Sequence, residues 1–410
     1  MSRSGSYPRT PFVAPAGRAG RDASVLPFRP ASSAPRVWLL IGDKLGDNQQ
    51  VELIAARLTQ RLDWRVEVRR LQFKDAYRTG KPPFRVDHSH VDWSASDSIA
   101  PPWPDLVITI GRRPSMVALW IKQQSRGKTQ IVIVGRPRRW LQRFNLIIAA
   151  AHHHVPQLPN VLRLGLPLIM PDTAALEAAR AQWASRFARL PRPLVALFVG
   201  GPTKPHVFDR DVARDLMARA TQCVARSGGT LWVTTSPRTS RDVVDAIEEA
   251  LPENGRLFRF RPNDANNPYL GLLASADQFI VTGDSVSMQV EVARLGKPLA
   301  IYPLPVKYGI VERLRRAAAR VAYGEDSTRL SRMIQALQQL GITQFPRDVE
   351  EIHALLFRQG FAVRLGEPFT ERGRGVDVDL DQIVDRIHAL VAQEEPSPVG
   401  SQTGWVTGGR

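Results

Sequence analysis

The residues best placed to do chemistry form a short polar turn between an apolar run and a helical pattern. Residues 279–282 are predicted to be a buried strand, residues 282–285 a tight turn, and residues 286–295 a helix that Gly296 and Pro298 end. A strand that runs through small polar residues into a helix points free backbone N–H groups and the positive end of the helix dipole at the turn. This stretch therefore predicts an anion site.

Side chains beside this turn offer further polar contacts. Gly283 and Asp284 shape the turn, Ser285 and Ser287 add hydroxyl donors, and Glu291 follows one to two helical turns later. A carboxylate at that position suits the hydroxyls of a ribose. A structural interpretation has equal weight, in which Asp284 or Ser285 only caps the helix and Glu291 is solvated.

Composition sets the broad class of the protein. The chain has 410 residues, which suits two domains plus tails, and its 43% hydrophobic and 23% charged residues are ordinary for a globular protein. The single cysteine excludes an internal disulfide and a Cys-based metal site, and no apolar run is long enough to span a bilayer. A net charge of +17 favours an anionic partner.

Much of the positive charge lies in one segment. Residues 106–171 contain ten basic residues and no acidic one, with aromatic residues between them. A surface of one sign with aromatic residues suits an anionic membrane, and the alternative is a solvated basic face without a partner. The residues predicted to form this membrane or anion surface are Arg112, Arg113, Lys122, Arg136, Arg138, Arg139 and Trp140.

Strands and helices alternate through two successive halves, which predicts parallel sheets with their loops on one edge. We expect a basic tail at 1–35, a first α/β domain at 36–170, a linker helix at 171–193, a second α/β domain at 194–325, a helical region at 326–395 and a tail at 396–410. The strand-end loops of the two halves carry Gly, Ser, Thr and Arg, so two sheets facing each other would enclose a ligand cleft.

Several blocks of this chain closely resemble a known family. The blocks are Phe198-Val-Gly-Gly-Pro, Val233-Thr-Thr-Ser-Pro-Arg-Thr, Asn267-Pro-Tyr-Leu-Gly-Leu-Leu-Ala and, the most specific, Val281-Thr-Gly-Asp-Ser-Val-Ser-Met. Together with Gly42-Asp-Lys-Leu-Gly-Asp-Asn-Gln they resemble the plant mitochondrial-fission "elongated mitochondria" family and its bacterial relatives. The resemblance covers about residues 36–320. It implies the glycosyltransferase-B architecture, in which two Rossmann-like domains face each other across a nucleotide-sugar cleft, here with C-terminal helices added.

The resemblance implies a metal-independent glycosyltransferase that takes a nucleotide sugar as substrate and needs no cofactor. Helix N-termini, hydroxyls and basic groups would stabilise the leaving diphosphate. In the second domain these groups, with the ribose carboxylate, are Gly201, Thr203, Lys204, Ser236, Arg238, Gly283, Asp284, Ser285, Ser287 and Glu291. The first domain would supply a general base, for which Asp47 and Asp43 come before His152. Asp47 is equally well interpreted as the N-cap of a helix that begins near Asn48.

No metal site is predicted. Three consecutive residues, His152, His153 and His154, cannot converge on one ion without strain, although one of them is expected to line a cleft. Asp284 has no second acid with which to form an Asp-x-Asp pair.

Three functions stay open, and a fourth is least favoured. The first is a glycosyltransferase on the inner face of a membrane that acts on a lipid-linked or cell-envelope acceptor. The second is a non-catalytic protein of membrane fission, as the plant branch suggests, and the third a sugar-nucleotide epimerase. Nucleic acid is the least favoured partner, because no matching fold motif is present. A cytoplasmic location is expected, while the Arg- and Ser-rich start leaves organellar targeting open.

Overall fold

The computed structural model describes residues 34–78, 85–137, 139–201, 205–323, 328–371, 373 and 375–392. Its contacts divide them into two compact units. The first unit holds the described residues of 24–148, 158–162 and 379–392, and the second holds 149–157 and 163–378. The first half of the chain supplies β1 (Val37–Ile41), α1 (Leu45–Leu62), β2 (Val66–Arg70), α2 (Asp75–Arg78), β3 (Leu106–Ile110), α3 (Arg112–Gln124), β4 (Gln130–Val134), β5 (Leu146–Ala150) and β6 (Val161–Leu164).

The second half continues the alternation of helices and strands. Its elements are α4 (Thr173–Phe187), β7 (Leu194–Phe198), α5 (Arg210–Ala225), β8 (Thr230–Thr234), α6 (Arg241–Glu249), β9 (Gly255–Phe258), α7 (Tyr269–Ser275), β10 (Gln278–Thr282), α8 (Val286–Arg294), β11 (Leu299–Tyr302), α9 (Ile310–Tyr323), α10 (Arg329–Gln339), α11 (Val349–Arg358), β12 (Val363–Arg364) and α12 (Leu380–Ala392).

The first sheet has six strands in the order β2-β1-β3-β4-β5-β6. The pairs β1–β2, β1–β3, β3–β4 and β4–β5 are parallel. Every residue of β1, β3, β4 and β5 is buried, as expected for parallel strands covered on both faces. The alternation of residues 65–73 predicts a strand, but only residues 66–70 pair with β1. This strand, β2, lies at the edge of the sheet and is partly exposed.

The second sheet has six strands in the order β12-β11-β10-β7-β8-β9, and all five pairings are parallel. Numbered along the chain, this is the doubly wound order 3-2-1-4-5-6. Successive side chains enter opposite cores. Ala196 and Phe198 pack with α4, α7 and α8 on one face, whereas Val195 and Leu197 pack with α5 and α6 on the other. The expected fold class, two α/β units with parallel sheets, is confirmed.

Two details of the second half differ from the sequence-based expectations. The apolar residues of 257–260 predict a strand there, whereas β9 lies at 255–258. The sixth strand, β12, lies inside a stretch expected to be mostly helical. The predicted helical region 326–395 is divided between the units. Helix α12 belongs to the first unit, where Arg57 Nε and Nη2 each donate to the Asp381 carboxylate at 2.9 Å.

Candidate functional site

The second sheet has a topological switch point between β7 and β10. These neighbouring strands begin crossovers to opposite sides of the sheet, and ligands of such folds bind outside the carboxyl ends of the strands at that place. Gly200 and Gly201 follow β7, and the predicted turn Gly283-Asp284-Ser285 follows β10. The fold therefore brings the turn singled out by the sequence next to the double glycine of another loop, which lies about 80 residues away along the chain.

Asp284 holds these two loops together. Its carboxylate accepts a hydrogen bond from the Gly201 N–H (3.0 Å) and another from the Thr282 hydroxyl (2.8 Å). Thr282 Oγ1 in turn accepts from the Gly200 N–H at 2.8 Å. The Asp284 side chain has no exposed surface, and among the described residues it pairs with the cation of Arg238, whose Nη2 lies 3.6 Å from Oδ2. The carboxylate predicted to contact a nucleotide sugar is thus turned into the loops that it organises.

Both glycines after β7 are required by close approaches rather than by unusual dihedral angles. A Cβ on Gly200 would lie 2.1 Å from Ser285 Oγ, and a Cβ on Gly201 would lie 2.1 Å from the backbone carbonyl oxygen of Arg238. Neither distance is possible without movement of backbone or of a buried side chain. These glycines let the loops that follow β7, β8 and β10 approach one another closely.

Helix α8 begins at this place with unused donors. Ser285 occupies the N-cap position and is buried, but its side chain makes no capping hydrogen bond. The interpretation of Asp284 or Ser285 as a side-chain cap is therefore wrong, because Asp284 is engaged by the β7 loop. The first intrahelical bond runs from Gln289 N to Ser285 O at 3.1 Å, so earlier N–H groups have no intrahelical partner. Ser287 is exposed on this first turn.

The loop after β8 contributes a backbone turn and one cation. Ser236 N donates to Thr239 Oγ1 at 2.9 Å, and the Thr239 hydroxyl donates to the Gly200 carbonyl at 2.6 Å. Ser236 is buried, so its side chain builds the turn, whereas the Arg238 side chain is 49% exposed. Thr203 and Lys204, also predicted for this site, lie outside the described residues.

Glu291 forms a largely buried pair with Tyr269, the first residue of α7. The Tyr269 hydroxyl donates to Glu291 Oε2, and the Tyr269 ring packs on Phe198 with 4.6 Å between the ring centroids. Burial raises the pKa of the Glu291 carboxyl, and burial together with the neighbouring carboxylate raises the pKa of Tyr269 well above its usual value. The interpretation of Glu291 as a solvated side chain is wrong, and its contact with a ribose stays a prediction.

Sequence reasoning missed several residues that support the site. His353 of α11 donates from Nε2 to the Gly283 carbonyl at 2.9 Å, and burial lowers its pKa to about 4, so it is neutral at neutral pH. Gln289 is fully buried and donates to Thr282 O at 3.0 Å, while its Oε1 accepts no hydrogen bond within the described chain. The helical spacing of α8 could have identified Gln289 as a residue on its inward face. Nothing local marks His353, which lies 70 residues from Gly283.

In the first sheet, two of the three predicted base residues, Asp43 and Asp47, lie at the corresponding switch point, between β1 and β3. Asp43 follows β1, and both its oxygens contact Arg113 Nη1, at 2.9 and 3.0 Å. Asp47 lies near Gly111 at the end of β3, since a Cβ on that glycine would be 3.8 Å from Asp47 Oδ2. The Asp47 side chain has no ion-pair or hydrogen-bond partner among the residues described.

Asp47 is not an N-cap. Helix α1 begins at Leu45, and Lys44 takes the N-cap position with no side-chain hydrogen bond, so Asp47 lies in the first turn. Asn48 provides the local closure instead, because its Nδ2 donates to Gly42 O at 2.8 Å and its Oδ1 accepts from Gly42 N at 3.3 Å. These two hydrogen bonds hold the start of α1 close to the end of β1. The helix therefore begins earlier in the chain than the sequence predicts.

The three histidines belong to the second unit. His152 is buried in a 3₁₀ turn at Ala151–His153, and its carbonyl accepts from Asp348 N at 3.0 Å. His154, rather than His152, lines a cavity of about 970 Å³ in this unit, which confirms that one of the three borders a cavity. Across the described residues, no group of histidine, cysteine and carboxylate side chains is arranged to hold a metal ion.

Some side chains of the predicted basic surface already make contacts within the first unit. Arg113 pairs with Asp43, and Lys122 Nζ donates to Asn145 Oδ1 at 2.7 Å. The Trp140 ring packs under the guanidinium of Arg143 at 4.5 Å. Arg112 and Arg136 are partly buried, Arg139 is exposed, and Arg138 lies outside the described residues. A membrane contact at this surface stays a prediction.

The fold and the site define a doubly wound α/β protein with two successive parallel-sheet units and a glycine-lined switch point in the second. The chain belongs to the family described as Mitochondrial fission ELM1, which residues 46–354 match. It is 29% identical over 220 residues to the mitochondrial fission protein ELM1 of Arabidopsis thaliana, a match that covers 48% of this chain and 51% of that protein. The match thus spans about half the length of that relative.

A second relative is bacterial. The uncharacterized protein RP120 of Rickettsia prowazekii (strain Madrid E) is 23% identical over 304 residues, which are 66% of this chain and 83% of that protein. Among solved structures, the UDP-GlcNAc 2-epimerase of Methanocaldococcus jannaschii aligns with 86% of this chain and 99% of its own at 9% identity and a TM-score of 0.44. The family assignment rests on the sequence matches and not on this superposition.

Within the described ranges, no helix combines the length and the apolar character that crossing a bilayer requires.

Proposed function

We propose that this protein is a metal-independent glycosyltransferase that binds the diphosphate of a nucleotide sugar at the switch point of the second sheet. The observation that carries the proposal is the meeting of the Gly200–Gly201 loop with the amide-rich start of α8, held in register by the buried Asp284. Backbone N–H groups and a helix N-terminus are a ready anion site, and glycines permit the close approach of phosphates.

The chemistry follows from charge. When the sugar leaves, negative charge develops on the diphosphate, and donors already fixed in place stabilise it without reorganisation. The N–H groups of α8, the hydroxyls of Ser285 and Ser287 and the half-exposed guanidinium of Arg238 are the donors that the proposal uses. Thr203 and Lys204 belong to the same loop by sequence. Glu291, oriented by Tyr269, would accept hydrogen bonds from the ribose hydroxyls.

The acceptor hydroxyl needs a general base. Asp47 suits this role better than Asp43, because the Asp43 carboxylate is occupied by Arg113 whereas Asp47 has no such partner among the described residues. The proposal places the protein at the inner face of a membrane, with a lipid-linked or cell-envelope molecule as acceptor. The acid-poor segment 106–171 and the net charge of +17 support an anionic environment of that kind.

A non-catalytic role is the second candidate, favoured by the similarity to the mitochondrial fission protein ELM1 of Arabidopsis thaliana. In that case the switch point is a structural remnant, and the protein acts in membrane fission through its surface. An epimerase is the third. It differs from a transferase in one measurable way, because it changes the sugar of its substrate without any acceptor.

Nucleotide binding tests the proposal first. UDP, GDP and CMP, free and as sugar conjugates, are added while thermal unfolding is followed; a ligand at a hundredfold excess over its Kd adds about 2.7 kcal/mol of stability. Glu291→Gln keeps an acceptor for the Tyr269 hydroxyl but loses the charge, and Arg238→Gln loses the cation. Each variant is expected to weaken binding about tenfold. Arg226→Gln, an exposed substitution at the end of α5, is the matched control.

The outcomes separate the candidates. Stabilisation by one nucleotide class, reduced in both site variants and unchanged in Arg226→Gln, supports the proposal. Conversion of the bound nucleotide sugar without an acceptor indicates the epimerase. The absence of stabilisation by every nucleotide refutes the transferase and leaves the non-catalytic role.

A further inference from the structure

Helices α9 and α10 form a hairpin whose larger apolar side chains face solvent. Within residues 310–342, eight such side chains are at least 42% exposed. They are Ile310, Val311, Leu314, Val321, Leu330, Met333, Leu340 and Ile342. In the rest of the described chain, large apolar side chains reach comparable exposure only at Val68, Trp93, Met170 and Leu270, which are scattered. Scattered exposure is normal, whereas a contiguous cluster marks an interaction surface.

The exposed side chains follow the helical period. In α9, Ile310, Leu314, Ala317 and Val321 are spaced by four, three and four residues, so they form one stripe along the helix. Leucine and methionine repeat in the same way from Leu330 through α10 to its C-cap, at intervals of three, four and three residues. The two helices of the hairpin therefore each present an apolar stripe to solvent.

The opposite face of the hairpin is held by small and polar groups. Ala319 and Ala322 pack with Phe345 in a small separate core. The Tyr323 hydroxyl and Gln338 Nε2 both donate to the carbonyl of His154, at 3.0 and 2.6 Å. The inward face is thus complete without the large aliphatic residues, which remain available to an external partner.

Arginines border the stripes. At 100° per residue, Arg313 and Arg320 lie beside the α9 stripe, whereas Arg315 projects towards the side of the buried Ala319 and Ala322. Helix α10 adds two arginines and contains no acidic residue. The one acid of α9, Glu312, lies on the inner side, 3.5 Å from Arg316 Nε. An apolar stripe bordered by arginines is the pattern of a helix that lies in the interface of an anionic bilayer.

We propose that the α9–α10 hairpin (residues 310–323 and 328–342) is the surface by which this protein docks on a membrane of anionic lipids. The apolar side chains enter the boundary between headgroups and acyl chains, while the arginines contact lipid phosphates. A second copy of the chain is a poorer occupant, since a two-fold contact would bring arginines against arginines. The proposal gives the membrane contact of the proposed function a location, and it needs no nucleotide.

Vesicle co-sedimentation of the full chain without nucleotide tests the proposal. The protein is mixed with vesicles of phosphatidylcholine alone or with about 30% phosphatidylserine, the lipid class that attracts arginines. Binding is expected only with phosphatidylserine. Leu314→Ser with Leu330→Ser is expected to lower the affinity at least about tenfold, because two exposed apolar contacts are lost. Arg313→Gln with Arg320→Gln is expected to lower it about fivefold per arginine and to weaken its salt dependence.

The controls locate the contact. Met170→Ser, 41% exposed outside the hairpin, is expected to bind as the unchanged chain does. Arg126→Gln with Lys128→Gln removes charge from the basic segment of the first unit instead. Slowed hydrogen exchange of residues 310–342 on vesicles supports the proposal. It is overturned if only the Arg126 and Lys128 variant loses binding, if no vesicle binds, or if the hairpin variants abolish a dimer while leaving vesicle binding intact.

Discussion

His353 links the stability of the second unit to pH through the loop that carries the candidate site. Its Nε2 donates to Gly283 O at 2.9 Å, and a Cβ on that glycine would lie only 3.0 Å from the imidazole Cε1. Burial is the main cause of its lowered pKa, and the charges of His206 and Arg364 lower it further, while Asp348 acts in the opposite direction. At acidic pH, protonation of His353 therefore places a positive charge in a buried site that excludes water.

The size of the effect follows from the pKa values of the unfolded and folded chain, 6.5 and about 4. The unfolded chain binds the proton first, so stability is complete above pH 6.5 and falls as the pH drops towards 4. The full loss is about 3 kcal/mol, and about 2 kcal/mol is lost by about pH 5. Below about pH 4 both states are protonated, and His353 contributes no further change.

The test compares the unchanged protein with His353→Gln, whose amide N–H can still donate to the Gly283 carbonyl but does not titrate. The free energy of unfolding is measured by urea titration at about pH 7.5 and about pH 5, and the unchanged protein is expected to lose about 2 kcal/mol more than the variant. Hydrogen exchange of residues 280–290 is expected to accelerate over the same pH range. His388→Gln, in α12 of the first unit, serves as a control and should reproduce the unchanged protein.

Equal acid losses in the unchanged protein and in His353→Gln would falsify this reasoning. A loss that is reduced in His388→Gln as much as in His353→Gln would also contradict it, because the effect would then belong to no single histidine. Faster exchange confined to α12 would assign the acid sensitivity to the other unit.

Two further predictions concern the packing of the site. Gly200→Ala places a Cβ 2.1 Å from Ser285 Oγ and is expected to lower the free energy of unfolding by about 1–3 kcal/mol, measured by thermal melting. Gly46→Ala, with no atom within 4 Å of its Cβ, is the control and should be neutral or up to about 1 kcal/mol more stable; equal stability of the two variants would contradict the close approach. Tyr269→Phe removes the donor to Glu291 and is expected to cost about 1–3 kcal/mol. That cost should be larger at pH 8 than at pH 5, since the ionised Glu291 carboxylate then lacks its donor. A cost that does not change with pH would show that the Tyr269 contact does not depend on the charge of Glu291.

The two switch points explain why the predicted residues cluster. Along the chain, Gly42-Asp43 and Gly111–Arg113 are separated by about 70 residues, as Arg113 and Asp43 show. In the second half, Gly200 and Thr282 are separated by 82 residues. In both sheets the strands that precede these pairs are neighbours, β1 beside β3 and β7 beside β10. A parallel sheet places the carboxyl ends of such strands at one edge, so short loops distant in sequence become one site.

The sequence itself determined the alternation of strands and helices, because continuous apolar runs such as Leu194–Phe198 have only one stable place, inside a parallel sheet. It also predicted an anion site at the turn after β10, from its glycine and its helix start. Strand limits at the sheet edges were predictable only to within a few residues, since β2 and β9 depend on pairing partners that the local pattern does not identify.

Only the tertiary structure decided what the polar residues of that turn do. Asp284 looks like a cap or a ligand in the sequence, yet it is the fully buried acceptor of a loop that lies 83 residues away. Glu291 looks solvated, yet it pairs with Tyr269, and His353 carries no local signal at all. The physical reason is that burial and hydrogen-bond partners are set by strand order and helix packing, whereas residue type and spacing specify only local conformation.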